Sequence, residues 1–84
     1  MGEVHYKRRA LRALAILPRD VAERFHRGFE QIACGRGQNL DISPLRGRDG
    51  YRLRIGKYRA IYQLTDGRVR VIVLDVGARG DIYR

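Results

Sequence analysis

The hydrophobic period of this chain changes near residue 50, and that change limits what it can fold into. Ahead of it, apolar residues recur with helical spacing. Ala10, Leu14 and Leu17 stand at i, i+4 and i+7 with Leu11 beside them, while Arg8, Arg9 and Arg12 face elsewhere. Pro18 stops this helix near Leu17, because the residue before a proline is pushed out of the helical region. Asp20 followed by Glu23 reads as a capping-box-like start to a second helix. Its stripe is Val21, Phe25, Phe29, Ile32 and Ala33, and Cys34-Gly35 ends it. Glu3 to Tyr6 carries a weak signal for a short edge strand. Residues 35–50, rich in Gly, Arg, Asn, Asp and Pro, read as a loop.

Beyond the loop the period is two. Tyr51, Leu53 and Ile55 alternate with Arg52 and Arg54, the pattern of a half-buried strand. Gly56-Lys57 fits a two-residue turn, Tyr58 to Leu64 a second strand, and Asp66-Gly67 a second hairpin turn. Val69 to Val76 is the third strand, and Val71-Ile72-Val73-Leu74 suggests that it is central and covered on both faces. The chain therefore reads as an α+β fold: an N-terminal helical hairpin packed on one face of a small, mainly antiparallel sheet of three to four strands. It is a single domain over residues 1–84.

The size and composition exclude several classes. At 84 residues there is room for one thin core and no second domain. The longest apolar run, Ala13 to Leu17, is five residues, against about 20 for a transmembrane helix. The opening Met-Gly-Glu-Val-His-Tyr lacks the apolar core of a signal peptide, so a cytoplasmic location is expected. With one cysteine (Cys34) and two separated histidines (His5, His26), neither an internal disulfide nor a zinc site is expected. Cys34 reads as a small buried residue and His26 as solvent-facing.

Charge supplies the positive clue. Eighteen Lys and Arg oppose nine Asp and Glu, a formal net charge of +9. Sixteen of the eighteen are arginine, the residue suited to planar, bidentate contact with phosphate or carboxylate. A polyanionic partner is implied, with nucleic acid ahead of an acidic protein. If Gly56-Lys57 is a two-residue loop, Ile55 pairs with Tyr58, Arg54 with Arg59 and Arg52 with Ile61. Arg52, Arg54 and Arg59 then share one face, while Leu53, Ile55, Ala60 and Tyr62 share the other. If Asp66-Gly67 also closes a two-residue turn, Gln63 pairs with Arg70 and Arg59 with Leu74, and Ile61, Ile72 and Leu74 join the arginine face. Like charges directly opposite each other on a sheet cost up to about 1 kcal/mol. An anion held between them reverses that sign; a solvated basic face, its arginine stems lying over Ile61 and Leu74, is the alternative. Tyr51, Tyr58 and Tyr62 are expected on the helix-facing side, and Asp75 is placed to pair with a site arginine.

Three elements in order carry a resemblance. They are Leu45-Arg46-Gly47, then Tyr51 to Tyr62 with its Tyr-Arg-Leu-Arg and Lys-Tyr-Arg, then Val76 to Arg84 with its Gly-x-Arg-x-x-x-Tyr. Together with the Leu17-Pro18 corner they resemble the RelE/ParE superfamily of toxin–antitoxin toxins over nearly the whole chain, the RelE branch more than the ParE branch. RelE-type toxins are ribosome-dependent endoribonucleases that cut mRNA, without a cofactor. The resemblance implies a RelE-like fold and a catalytic set of Arg52, Arg54, Arg59, Arg79 and Tyr83. Lys57, Arg46, Arg48 and Arg70 are the accompanying RNA-binding candidates, and the ribosome, mRNA and a cognate acidic antitoxin are the implied partners. Two features depart from the pattern: Ala78 stands where many relatives have histidine, and Arg52 and Arg54 stand where some have lysine. Arginine keeps its proton at neutral pH, so neither arginine serves as a general base. Ile61, Ile72 and Leu74 with the arginines make a mixed apolar and basic strip suited to an acidic segment that folds on binding. The alternatives are a ParE-like gyrase inhibitor without nuclease activity and a catalytically inactive, basic nucleic-acid-binding relative.

Overall fold

A computed structural model describes residues 2–65, 67 and 70–78 of the chain. The order of elements is β1 (Glu3–Tyr6), α1 (Arg8–Ile16), α2 (Arg19–Ala33), β2 (Asp41–Pro44), β3 (Tyr51–Ile55), β4 (Tyr58–Thr65) and β5 (Arg70–Ala78). Leu17 leaves α1 with an extended backbone (ψ 158°), as the following proline demands. α2 then starts at Arg19 with Pro18 as its N-cap and no side-chain cap. Asp20 consequently lies inside the first turn rather than at the cap, where it favours the helix through the dipole instead of through a capping box.

The five strands form one sheet in the order β1-β5-β4-β3-β2, antiparallel except for the β1–β5 pair. The α+β reading holds, with a fifth strand in the segment read as loop. β2 is short and ends in a proline, which an edge strand tolerates because its outward N–H has no ladder partner to lose. Its alternation spans too few residues to stand out in the sequence. β5 lies between β1 and β4, and only one of its faces is sealed: Val71 and Val73 are fully buried, while Ile72 and Leu74 remain half-buried.

Both helices cover one face. Ala10 and Leu14 of α1 and Phe25 and Phe29 of α2 meet Leu53, Ile55, Ala60, Tyr62, Val71, Val73 and Val76 of the sheet. Phe29 stands edge-on to Tyr62 at 5.6 Å between centroids, and Tyr51 stacks on Tyr62 at 5.6 Å. Tyr51, Tyr58 and Tyr62 all pack on this side, as strand alternation requires. Each fully buried side chain of this size contributes roughly 1.5–3 kcal/mol by leaving water. Cys34 caps α2 but is exposed, so the buried-cysteine expectation fails: Ala33, the last helical residue, takes the buried position. His26 is exposed as expected, and its Nδ1 is 2.8 Å from the Tyr6 hydroxyl.

The β3–β4 register matches the sequence reading residue for residue: Ile55 with Tyr58, Arg54 with Arg59, Arg52 with Ile61. The β4–β5 register does not. Thr65, not Gln63, pairs with Arg70, which leaves residues 66–69 between the strands rather than two turn residues. A two-residue slip leaves every side chain on its own face, so alternation alone cannot distinguish the two pairings. A bulge then shifts the register again between Ile61 and Tyr62, and Arg59 pairs with Gly77 instead of Leu74. This bulge keeps Val71, Val73 and Val76 in the core together and turns Asp75 out of it.

The loop from Leu45 to Gly50 is closed by a hydrogen bond from the Leu45 N–H to the Gly50 carbonyl (3.0 Å). Gly50 has φ +123°, and a Cβ there would sit 2.8 Å from the Tyr62 carbonyl oxygen. Gly47 has φ +74° with open space around it. Urea denaturation should therefore show Gly50→Ala destabilised by about 2 kcal/mol or more, and Gly47→Ala by only about 1 kcal/mol. Burial pushes the Tyr6 and Tyr62 hydroxyls up to about 12. The neutral form is the one the fold favours, so this stability is complete below about pH 10. It is lost as pH rises from there towards 12, which alkaline unfolding followed by circular dichroism will show.

Candidate nucleic-acid interface

On the face away from the helices, the ladder sets side chains in two cross-strand rows. One row runs Asp41, Arg54, Arg59; the next runs Ser43, Arg52, Ile61. The expected opposition of Arg54 and Arg59 is therefore real. What the sequence reading missed is the strand beside them. Asp41 of β2 pairs with Arg54 in register, and its Oδ2 lies 3.2 Å from Arg54 Nε. Ser43 of the same strand accepts a hydrogen bond from Arg52 Nη2 at 2.8 Å. The polar–apolar–polar run Asp41-Ile42-Ser43, matched against Arg54-Leu53-Arg52, was the available signal. The Arg54–Asp41 pair is about half exposed on both sides, so it offsets the arginine repulsion by no more than about 1 kcal/mol.

Ile61 departs from the expected apolar strip. It is 1% exposed and outside the main core, so it is sealed on the arginine face rather than left open. It lines a cavity of about 660 Å3 with Ser43, Pro44, Leu45, Arg46, Arg48 and Arg52. The closed loop thus brings Arg46 and Arg48, both exposed, to the same concavity as Arg52. Three guanidinium groups around a partly apolar floor suit a phosphate with an attached sugar or base.

The remaining candidates are dispersed. Lys57 occupies the β3–β4 turn, its ammonium 5.6 Å from the Tyr58 ring centre, at the Arg54–Arg59 end of the sheet. Arg70 is on the same face but pairs with Thr65, six residues along β4 from Arg59, or roughly 20 Å away at strand rise. Its guanidinium lies 3.8 Å from Glu3. Asp75 reaches α1: its Oδ2 is 3.2 Å from Nε of Arg9, and its Oδ1 accepts the Val76 N–H. The bulge places Asp75 within reach of that helix. Arg79 and Tyr83 lie outside the described residues.

What these side chains can do is bind and stabilise negative charge; the described arginines offer no group that takes up a proton at neutral pH. Asp41→Asn tests the balance between its two roles. Removing this exposed partner should change stability by less than about 1 kcal/mol in urea denaturation. It should also release Arg54 for phosphate, strengthening single-stranded RNA binding and steepening its salt dependence by about 0.7 in slope. Unchanged binding would show that Asp41 does not compete with phosphate.

The geometry agrees with what is known of similar chains. The family model of the ParE toxin of type II toxin–antitoxin systems matches residues 4–83. The toxin in the archaeal RelE–RelB complex from Pyrococcus horikoshii is 27% identical, with 95% of this chain and 97% of that chain covered at a TM-score of 0.73. The intact E. coli RelBE toxin–antitoxin complex matches at 28% identity, covering 93% and 96% of the two chains, with a TM-score of 0.70. The RelB–RelE complex from Methanococcus jannaschii, at 22% identity and a TM-score of 0.78 over 94% of each chain, shows the same fold. A search of curated proteins gave no match. With a family match running almost from end to end and a RelE-like sheet and helix pair beneath it, this chain belongs to the ParE toxin family of type II toxin–antitoxin systems, within the RelE/ParE superfamily.

Proposed function

We propose that this toxin is a ribosome-dependent endoribonuclease that cleaves translated mRNA. The observation that carries the reading is the cross-strand pair Arg54–Arg59, with Arg52 one row away on the same face. A fold under selection for stability alone gains nothing from two guanidinium groups in direct register, whereas a bound phosphodiester makes the same pair attractive. In the proposed reaction the RNA 2′-oxygen attacks its neighbouring phosphorus, the bond to the 5′-oxygen breaks, and a 2′,3′-cyclic phosphate forms. The 2′-hydroxyl proton leaves to a base and the 5′-oxygen gains a proton. Arg52, Arg54 and Arg59 take the scissile and flanking phosphates and stabilise the charge that builds on the phosphorane oxygens. Arg79 stabilises the leaving oxygen, and Tyr83 stacks on a base or relays a proton. The nucleophile belongs to the substrate, so the reading requires no cofactor. A site strong in charge stabilisation and poor in proton acceptors depends on imposed geometry, which is the part assigned to the ribosome.

The same reading includes a cognate antitoxin. RelE chains of similar fold are found in complexes with RelB. Here the net charge of +9 and the half-buried Ile72 and Leu74 beside the arginines suit an acidic segment that orders on binding. A second reading, inhibition of DNA gyrase without RNA cleavage, draws its support from the match to the ParE model.

Primer extension on a translated reporter mRNA after brief induction decides between them. The nuclease reading expects new 5′ ends within codons, reduced about 100-fold or more by Arg59→Ala, the usual effect of losing one charge-stabilising donor. Intact mRNA with growth arrest and accumulated DNA cleavage complexes would establish the gyrase reading instead.

A further inference from the structure

Helix α2 carries Arg24, Arg27 and Gln31 at i, i+3 and i+7, so all three lie along one side of the helix, and all three are exposed. That side overhangs the end of the sheet because the helix comes close there: Gly28 is buried, and a Cβ on it would lie 3.1 Å from Leu53 Cδ2. Between helix and sheet is a groove of about 380 Å3 lined by Arg24, Arg27, Gln31, Asn39, Asp41 and Arg54, with Leu40 and Ile55 beneath. Its charged lining is three arginines against one carboxylate, a net +2, and that carboxylate is the one engaged with Arg54. Gln31 and Asn39 add neutral amide donors. Arg54 is common to this groove and to the arginine face, where it stands opposite Arg59. The basic surface is therefore one track. It runs from Arg46 and Arg48 across Arg52, Arg59 and Arg54, around the outer edge at Asp41, and onto α2.

We infer that the groove between α2 and the β2–β3 edge is a second phosphate-binding site, which holds the backbone of an RNA strand continuing off the arginine face through Arg24 and Arg27. The inference rests on the reading of the arginine face as an RNA site, though not on that face being catalytic. Arg24 and Arg27 lie on the opposite side of the edge strand from the proposed reaction, so they anchor the strand rather than touch the bond that breaks.

The test is equilibrium binding of a fluorescent 20-nucleotide 2′-O-methyl RNA, which cannot undergo cleavage by its own 2′-oxygen, across a series of sodium chloride concentrations. Losing two phosphate contacts to a single strand lowers the slope of log K against log salt by about 1.4, a loss of about 25-fold in affinity at 0.1 M. Arg24→Gln/Arg27→Gln should show both changes, and Arg24→Lys/Arg27→Lys should keep the wild-type slope because charge is retained. Arg8→Gln/Arg12→Gln, which removes two exposed arginines from α1 instead, should lose less than half as much slope. An unchanged slope in the α2 glutamine variant overturns the inference, as does an equal loss in the α1 variant, which would mean that only net charge matters. A glutamine variant that loses affinity for poly-glutamate but not for RNA also overturns it, in favour of an acidic protein partner. The readout involves no cleavage, so a toxin that binds RNA with the expected slope change yet leaves mRNA intact would refute the nuclease reading and keep the groove.

Discussion

A sheet covered on one side only makes each residue of β3 and β4 take one of two environments, and the β3–β4 hairpin fixes which. With Ile55 opposite Tyr58, the residues Leu53, Ala60 and Tyr62 go under the helices and Arg52, Arg54 and Arg59 go to the other face. A one-residue slip would put arginines against Phe29 and leave Tyr62 in water. Burying even one unpaired guanidinium costs several kcal/mol, so a one-residue slip does not compete. The hydrophobic core and the basic face are two consequences of one pairing.

That pairing explains how the face survives its own repulsion. The Arg54–Arg59 opposition costs up to about 1 kcal/mol, and the exposed Arg54–Asp41 pair returns up to about the same. Either amount is small beside what the buried aromatic and aliphatic side chains on the other face contribute. Stability therefore resides in Phe25, Phe29, Leu53, Tyr62 and their neighbours, so the opposite face can carry charge at little cost to the fold.

The sequence exposed the strongly periodic elements and hid the short ones. α1, α2, β3 and β4 were legible because each repeats its pattern over several turns or pleats. β2 was not: four residues ending in proline look like the loop around them, and only their register against β3 shows that Asp41 and Ser43 belong to the site. Arg52, Arg54 and Arg59 could be placed together because a two-residue turn fixes a register. Arg46 and Arg48 joined them through a closed loop whose shape depends on the positive φ of Gly47 and Gly50. Arg70 was an accompanying RNA-binding candidate, and its ladder partner Thr65 is six residues from Arg59 along β4. Arg24 and Arg27 drew no reading from the sequence, since nothing in one helix reveals what another segment brings beside it.

The bulge in the β4–β5 ladder shows how one residue connects the two faces. Val71 and Val73 are spaced by two and Val73 and Val76 by three, and all three are buried. Without a bulge, a strand that buried the first two would drive Asp75 into the apolar layer and lift Val76 out of it. Removing that carboxylate from water without a partner would cost several kcal/mol, far more than one irregular ladder position. The extra residue resolves the conflict and has a second effect. It advances the last stretch of β5 by one position, so Gly77, which carries no side chain, rather than Val76 pairs with Arg59. The arginine pair is thus flanked by a carboxylate on one side and a glycine on the other. A requirement of the core, keeping Asp75 out, thereby determines which neighbour Arg59 has on the ladder.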